Sequence, residues 1–400
     1  MAETVVIGAG QAGLAVSHEL ASAGVEHVVL ERGRVGQRWR DRWASFCLVT
    51  PNWTVQLPGG RYDGDDPDGF MLRDDVVGHL ERYAGEMPVH EGVDVGSVAP
   101  EPGGGYRLQT SAGDMLAGTV VLCSGAYQRP HVTPLADVLP DGVARLHADD
   151  YVDPAGLPPG PVLVIGSGQT GCQLAEELLE AGREVVLACG RAPWMTRRIG
   201  DHDVLWWTVE TGYIEATVDS LPAPAARFAA NFTATGRGGG HDLHLRTLHE
   251  KGARLAGHVE SSDGRRVRFA DDLAASVAWG DARRAQFLEL VHRAAEERGL
   301  PEPEPFDPGP LDAEPLPEVD LRGFGAVITT AGYRPDYARW VRVPGAFDAL
   351  GFPVHDECAS SAAPGLWFAG VHFLRKRKSG LLLGVHEDAE LVAGAIAATA

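Results

Sequence analysis

The chain has 400 residues, a net charge of −20 from 55 Asp and Glu against 35 Lys and Arg, and a hydrophobic content of 44%. That length allows two or three domains with real cores, and that acidity argues against nucleic acid as a partner, because phosphate backbones select positive surfaces. No apolar run reaches the ~20 residues of a bilayer span, and the five scattered cysteines form neither a C-x-x-C pair nor a disulfide framework, so the expected location is the cytoplasm.

The first legible element is TVVIGAGQAGLAVSHELASAGVEHVVLE, residues 4–31, and PVLVIGSGQTGCQLAEELLEAGREVVLAC, residues 161–189, repeats it. Each copy reads as a buried strand, a G-x-G-x-x-G turn, an amphipathic helix and a second strand. The glycines are Gly8, Gly10 and Gly13, then Gly166, Gly168 and Gly171. The first permits a tight turn, the second lets backbone approach a pyrophosphate, and the third lets helix pack on strand. The anion then lies on a helix N-terminus. With the context complete twice, the reading is α/β with two Rossmann-like dinucleotide-binding domains, hence two dinucleotides.

The ends of the two copies separate the ligands. Glu31 stands 23 residues after Gly8, where an acid binds an adenosine ribose. The same count from Gly166 reaches Cys189, followed by Gly190, Arg191, Arg197 and Arg198. With the acid absent, these arginines read as a 2′-phosphate site, or else as a solvated loop.

Between the repeats, helical spacing covers Asp74–Ala84, and Thr119–Gly125 is a short buried strand ending in Ser124-Gly125. Residues 325–332 (GAVITTAG) are read as its partner, returning the chain to a shared sheet. The second dinucleotide domain is therefore expected as an insertion into the first, with limits 1–155, 156–322 and 323–400. In the less legible 200–320 segment, 283–298 is amphipathic, and the Pro-rich acidic 301–320 reads as a stiff connector. His241, His244 and His249 are too weakly patterned to predict a metal, and none is expected. Trp206 and Trp207 read as a pocket wall or, more simply, as packing. Residues 375–378 (RKRK) read equally as a solvated turn or as a basic rim steering anions. A last strand over 366–371 leads into a C-terminal helix over 381–398.

The chain resembles the class B flavin-dependent monooxygenases, which include the flavin-containing monooxygenases, YUCCA enzymes and Baeyer–Villiger monooxygenases. Gly8, Gly10, Gln11, Ala12 and Gly13 with Glu31 and Arg32 resemble the family's FAD motif. Residues 36–40 (GQRWR) resemble its G-G-x-W segment beside the flavin, with Gln37, Arg38 and Trp39. Gly166, Gly168, Gln169, Thr170 and Gly171 resemble its NADPH motif, and 330–333 (TAGY) its A-T-G-Y element. The resemblance also places Leu48, Thr50, Ser124, Gly125, Leu381 and Leu382 at the flavin. It makes Asn52 a catalytic amide donating to an oxygenated flavin and to nicotinamide, although the residue reads equally well as the cap of a turn after Pro51. The linker 139–151 departs from the family's F-x-G-x-x-x-H-S-x-x-Y pattern, with Gly142, His147 and Tyr151 matching only loosely.

The resemblance implies FAD and NADPH as cofactors and a small organic substrate and O2 as partners, with a homodimer left open. The implied reaction is NADPH-dependent insertion of one oxygen atom through a C4a-(hydro)peroxyflavin, by N- or S-oxygenation or Baeyer–Villiger chemistry. An NADPH oxidase or electron-transfer flavoprotein reductase is the alternative, since the same motifs serve it.

Overall fold

The computed structural model describes residues 2–135, 137–304 and 307–399. Two sheets organise it. In chain order their elements are β1 (Ala2–Ile7), α1 (Gln11–Ser22), β2 (His27–Glu31), β3 (Val89–Glu91), β4 (Val95–Pro100), β5 (Tyr106–Thr110), β6 (Gly113–Leu122), β7 (Ala144–His147), β8 (Val162–Ile165), α2 (Gln169–Glu180), β9 (Val185–Ala188), β10 (Arg254–Ala256), β11 (Ala326–Thr329), β12 (Leu366–Phe368) and α3 (Val385–Ala397).

The first sheet carries β12-β6-β1-β2-β3, all parallel, with β5 added antiparallel to the long β6 and β4 antiparallel to β5. The second runs β7-β11-β8-β9-β10, also all parallel. Parallel strands are covered on both faces, which is why β8 (VLVI) and the second half of β1 (VVI, residues 5–7) are apolar runs without polar alternation. Val5, Val6, Val162, Leu163 and Val164 are fully buried. α1 buries Leu14, Val16 and Leu20 beneath the first sheet and packs on α3. Both repeat helices end alike. Gly24 and Gly182 take positive φ, and the next residue's N–H reaches back to Leu20 and Leu178 at 2.9 Å.

The expected pairing of 119–125 with 325–332 does not occur. β6 flanks β1, whereas β11 flanks β8. The two segments look alike because they hold equivalent places in two sheets. One consequence concerns the expected limits: β7 and β11 fall on the flavin side of 155/156 and 322/323 but belong to the second sheet.

The helix expected over 74–84 spans Arg73–Ala84, and the amphipathic 283–298 is the end of a longer helix, Leu273–Arg298. Its central Gly280 is required because a Cβ there would lie 2.8 Å from the Ala192 carbonyl. Residues 301–304 and 307–317 carry no helix or strand, as a connector should, and Pro305 and Phe306 of that connector lie outside the described residues. No described helix is long and apolar enough to cross a membrane.

Candidate active site

Ligands of doubly wound sheets bind beyond the strands' carboxyl ends, where the strand order reverses. In the first sheet that point lies between β1 and β6. Gly8 takes φ +106° against the Cys123 carbonyl, and a Cβ on Gly13 would sit 1.7 Å from the Gly8 carbonyl oxygen. Only glycine fits either position. α1 then begins at Gln11 with no side chain capping its first N–H groups, and a Cβ on Gly10 would meet open space. An uncapped N-terminus facing open space fits a pyrophosphate.

Glu31 does more than face a ribose. Its two carboxylate oxygens accept from Ala9 N–H at 2.8 Å and Gly33 N–H at 2.9 Å, tying the glycine turn to the end of β2. Gln11 joins two further segments, accepting from the Trp39 indole at 3.0 Å and donating to the Gly380 carbonyl at 3.2 Å. Ala12 is buried against Gly370. Arg32 is exposed. Gln37 is engaged locally, by Arg34 N–H and by Asp41, while Arg38 reaches the Tyr127 carbonyl and Asp149, each at 3.5 Å.

The second cradle has the same frame with different contacts. Gly166 takes φ +112° against Thr330, and a Cβ on Gly171 would lie 1.8 Å from the Gly166 carbonyl oxygen. α2 begins at Gln169, its N-terminus also uncapped. Gln169 clasps Ala234 in both directions, and Thr170 is partly exposed beside it. The turn is tied by Ser167, whose hydroxyl donates to the Gly190 carbonyl and accepts from its N–H, both at 3.1 Å. Cys189 is fully buried, so an acid 23 residues after Gly166 would point into the core.

The three arginines expected at a 2′-phosphate separate. Arg191, just past Gly190 at the rim, is exposed. Arg198 is exposed and donates to the Asp201 carbonyl. Arg197 is only 4% exposed. Its guanidinium is held by Asp203 at 2.6 Å and the Val49 carbonyl at 2.7 Å, and it lies over Phe70 at 4.4 Å. It joins the two units and is withdrawn from the phosphate assignment.

Asn52 is also placed otherwise than expected. It is buried, and its amide donates to the Asp66 carbonyl at 2.9 Å while accepting from Met71 N–H at 2.8 Å. These bonds clip the 66–71 loop beneath Leu48 and Thr50, and they favour the turn reading over the catalytic one. Leu48 is buried, with its N–H on the Met71 carbonyl. Ser124 is exposed at the carboxyl end of β6, and the Gly125 carbonyl accepts from Tyr337 at 2.7 Å. α3 starts at Val385, later than expected, so Leu381 and Leu382 lie in the preceding turn and the Leu382 carbonyl accepts from Gln56.

The 375–378 run is neither a solvated turn nor a free basic rim. Arg375 pairs with Glu357 at 2.7 Å, and Arg377 lies over Tyr213 at 4.2 Å. Lys376 and Lys378 both meet Glu215 and Glu387. These contacts clamp the flavin unit to the 213–216 segment and neutralise the run. Trp207 is packed, its indole on the Ile199 carbonyl at 2.9 Å, and Trp206 stacks on His202. The three histidines diverge. His241 meets Glu176, His249 meets two carbonyls, and His244 caps a short helix beside Trp194.

Sequence reasoning missed the linkers. Residues 129–130 and 333–334 form a small antiparallel ribbon between the units. Tyr127, Tyr333 and His372 meet beside it, with Tyr127 stacked on His372 at 5.5 Å and 5.6 Å from Tyr333. The one available signal was that both linkers follow the strands next to β1 and β8.

The model of the pyridine nucleotide-disulphide oxidoreductase family matches residues 5–207. An uncharacterised CzcO-like oxidoreductase of Geobacillus kaustophilus is 28% identical, covering 97% of this chain and 96% of its own. The indole-3-pyruvate monooxygenase YUCCA4 of Oryza sativa subsp. japonica is 30% identical over 44% of each chain. A solved flavin-containing monooxygenase from Stenotrophomonas maltophilia has a TM-score of 0.68 at 19% identity, covering 100% of this chain and 98% of that one. The chain belongs to the pyridine nucleotide-disulphide oxidoreductase family and is an oxidoreductase.

Proposed function

We propose that this protein is a monooxygenase in which a small organic substrate, O2, NADPH and a proton give the oxygenated product, NADP+ and water. The observation that carries the reading is the pair of uncapped helix N-termini, each behind a glycine contact too close for any side chain. When bound, FAD supplies the redox and oxygen-activating chemistry, so no acid/base triad is needed from the chain.

The chain's own residues bind and position. Gly8, Gly10 and Gly13 admit the FAD pyrophosphate to the N-terminus of α1, and Glu31 offers its remaining lone pairs to the ribose. Gly166, Gly168 and Gly171 do the same for NADPH, whose 2′-phosphate takes Arg191, with Arg198 as second cation. Trp39, Leu48 and Thr50 lie along the flavin, and the Asn52 clip holds that wall. All five cysteines are free and buried, with burial pushing Cys123 and Cys189 well above the ordinary thiol range, which disfavours dithiol chemistry.

The test is turnover under 18-O oxygen with a panel of amines, sulfides and ketones, read by product mass. One labelled oxygen atom per product is expected, and the class of product decides between N- or S-oxygenation and Baeyer–Villiger insertion. NADPH consumption with no labelled product across the panel would mean an oxidase or reductase instead.

A further inference from the structure

In the linker ribbon Arg129 stands directly opposite Arg334. Opposed residues of an antiparallel pair share one face, and like charges there repel. Elsewhere the protein neutralises such groups: Arg227 lies over Phe352 at 3.8 Å and is paired with Asp348 at 2.6 Å. Arg129 and Arg334 have no carboxylate partner among the described residues, in a chain with 20 more acids than Lys and Arg. Arg334 donates to the Tyr333 carbonyl at 2.8 Å, the Arg129 charge acts against it, and both act against His131 beside them. Three basic groups therefore converge with no counter-ion among the described residues.

Next to them the rings close a circuit. Tyr333 lies 5.6 Å from Tyr127, Tyr127 5.5 Å from His372, His372 5.2 Å from Phe352, and Phe352 5.2 Å from Phe228. Arg334 completes it, its guanidinium 4.1 Å above Phe228. Tyr127 is 50% exposed, so the circuit is open to solvent on that side. His372 follows β12 and Tyr127 follows β6, which puts the circuit at the carboxyl ends of the first sheet, where the flavin cradle opens.

We propose that the ribbon and the ring circuit form the substrate site, and that its substrate class is a ring-bearing organic acid whose carboxylate bridges Arg129 and Arg334. Guanidinium forks match a carboxylate in geometry and charge, and aromatic faces accept a flat apolar body. The reaction rests on the monooxygenase reading above; the binding does not. A cofactor phosphate has the same anionic chemistry, and the experiment separates the two sources.

The holoenzyme is titrated with (phenylthio)acetate and with (phenylthio)acetamide, read by the change in flavin absorbance. The acid binds roughly tenfold more tightly than the amide. R129Q, at an exposed position outside the ring circuit, weakens that preference and leaves amide binding unchanged, R129Q/R334Q removes the preference, and R129K/R334K keeps most of it. Equal binding of acid and amide overturns the proposal, as does an equal loss for both in R129Q. A raised KM for NADPH with unchanged acid binding also overturns it and assigns the ribbon to the cofactor's phosphate. Turnover with NADPH and O2 is followed in parallel by sulfoxide formation. Acid preference without sulfoxide from either probe supports the site and removes S-oxygenation of these acids, while the monooxygenase reading itself stands or falls on the 18-O panel above.

Discussion

The two cradles share every feature of backbone and differ in how the glycine turn is fastened. In the first, the fastener comes from the second strand, as the Glu31 carboxylate reaching Ala9 and Gly33. In the second it comes from the turn, as the Ser167 hydroxyl reaching Gly190. The mechanical task is the same. Its electrostatic by-product is opposite, because one rim keeps a negative charge and the other has only a neutral hydroxyl with Arg191 beyond it. On the proposed assignment of the cradles, cofactor preference follows from which partner supplies the fastening oxygen.

The largest effect tests the shared backbone. A Cβ at Gly13 or Gly171 would lie 1.7 or 1.8 Å from a carbonyl oxygen, far inside van der Waals contact, so the turn must open. G171A should retain FAD and lose NADPH-driven flavin reduction by roughly a hundredfold or more, whereas G13A should purify without FAD. Flavin content and stopped-flow reduction decide this. Loss of FAD in G171A would show that the cradles are not independent.

The next effect tests the charge difference. R191A should raise KM for NADPH by roughly tenfold or more while barely changing that for NADH, as loss of a guanidinium–phosphate pair requires. R197A should lower the unfolding temperature and leave the NADPH to NADH ratio untouched, because Arg197 is spent on Asp203 and Val49. Parallel loss of both cofactors in R191A would remove the 2′-phosphate assignment.

Most of the frame was legible because its physics is local. A strand, three glycines and a helix within one short window leave few alternatives, and the helix expected from spacing over 74–84 is found at Arg73–Ala84. Equivalence between β6 and β11 was visible as likeness, but likeness does not say which strand is the neighbour; that depends on crossovers of about 105 residues in the first sheet and about 160 in the second. The roles of Arg197 and Asn52 were lost for a related reason. Their side-chain partners lie at Val49 and Asp203 for the one and Asp66 and Met71 for the other, and no pattern in a linear chain marks a guanidinium or amide as already engaged. The run at 375–378 was misread because its acids stand at 215 and 387.

A smaller effect compares the fasteners themselves. E31Q retains one acceptor and replaces a charge-assisted bond with an amide facing a donor, a loss of about 2 kcal/mol. S167A loses a neutral hydroxyl's bonds, about 1 kcal/mol. E31Q should therefore weaken FAD retention by roughly thirtyfold, and S167A should raise the Kd for NADPH only a few-fold. Dialysis against apoprotein and NADPH fluorescence titration measure the two. A larger penalty in S167A than in E31Q would reverse the account of which cradle is fastened more firmly.

The smallest effect appears with acid. His244 is buried beside Ser167 and Trp194, its Nδ1 accepting from Thr247 N–H at 3.3 Å. Burial first, and then the Arg246 and Arg284 charges, hold it neutral, with a pKa of about 4 instead of 6.5, against an opposing pull from Asp242 and Asp281. A folded-state pKa below the unfolded value means that the unfolded chain binds the proton first. The stabilisation is therefore complete above pH 6.5 and is lost as pH falls towards 4. H244N keeps an N-cap acceptor without a titrating ring. Its unfolding free energy should match the parent at pH 7.5 and exceed it by about 1–2 kcal/mol near pH 4.5. Denaturant unfolding at the two pH values checks this, and an unchanged difference would show that His244 does not contribute to the acid sensitivity of the second cradle.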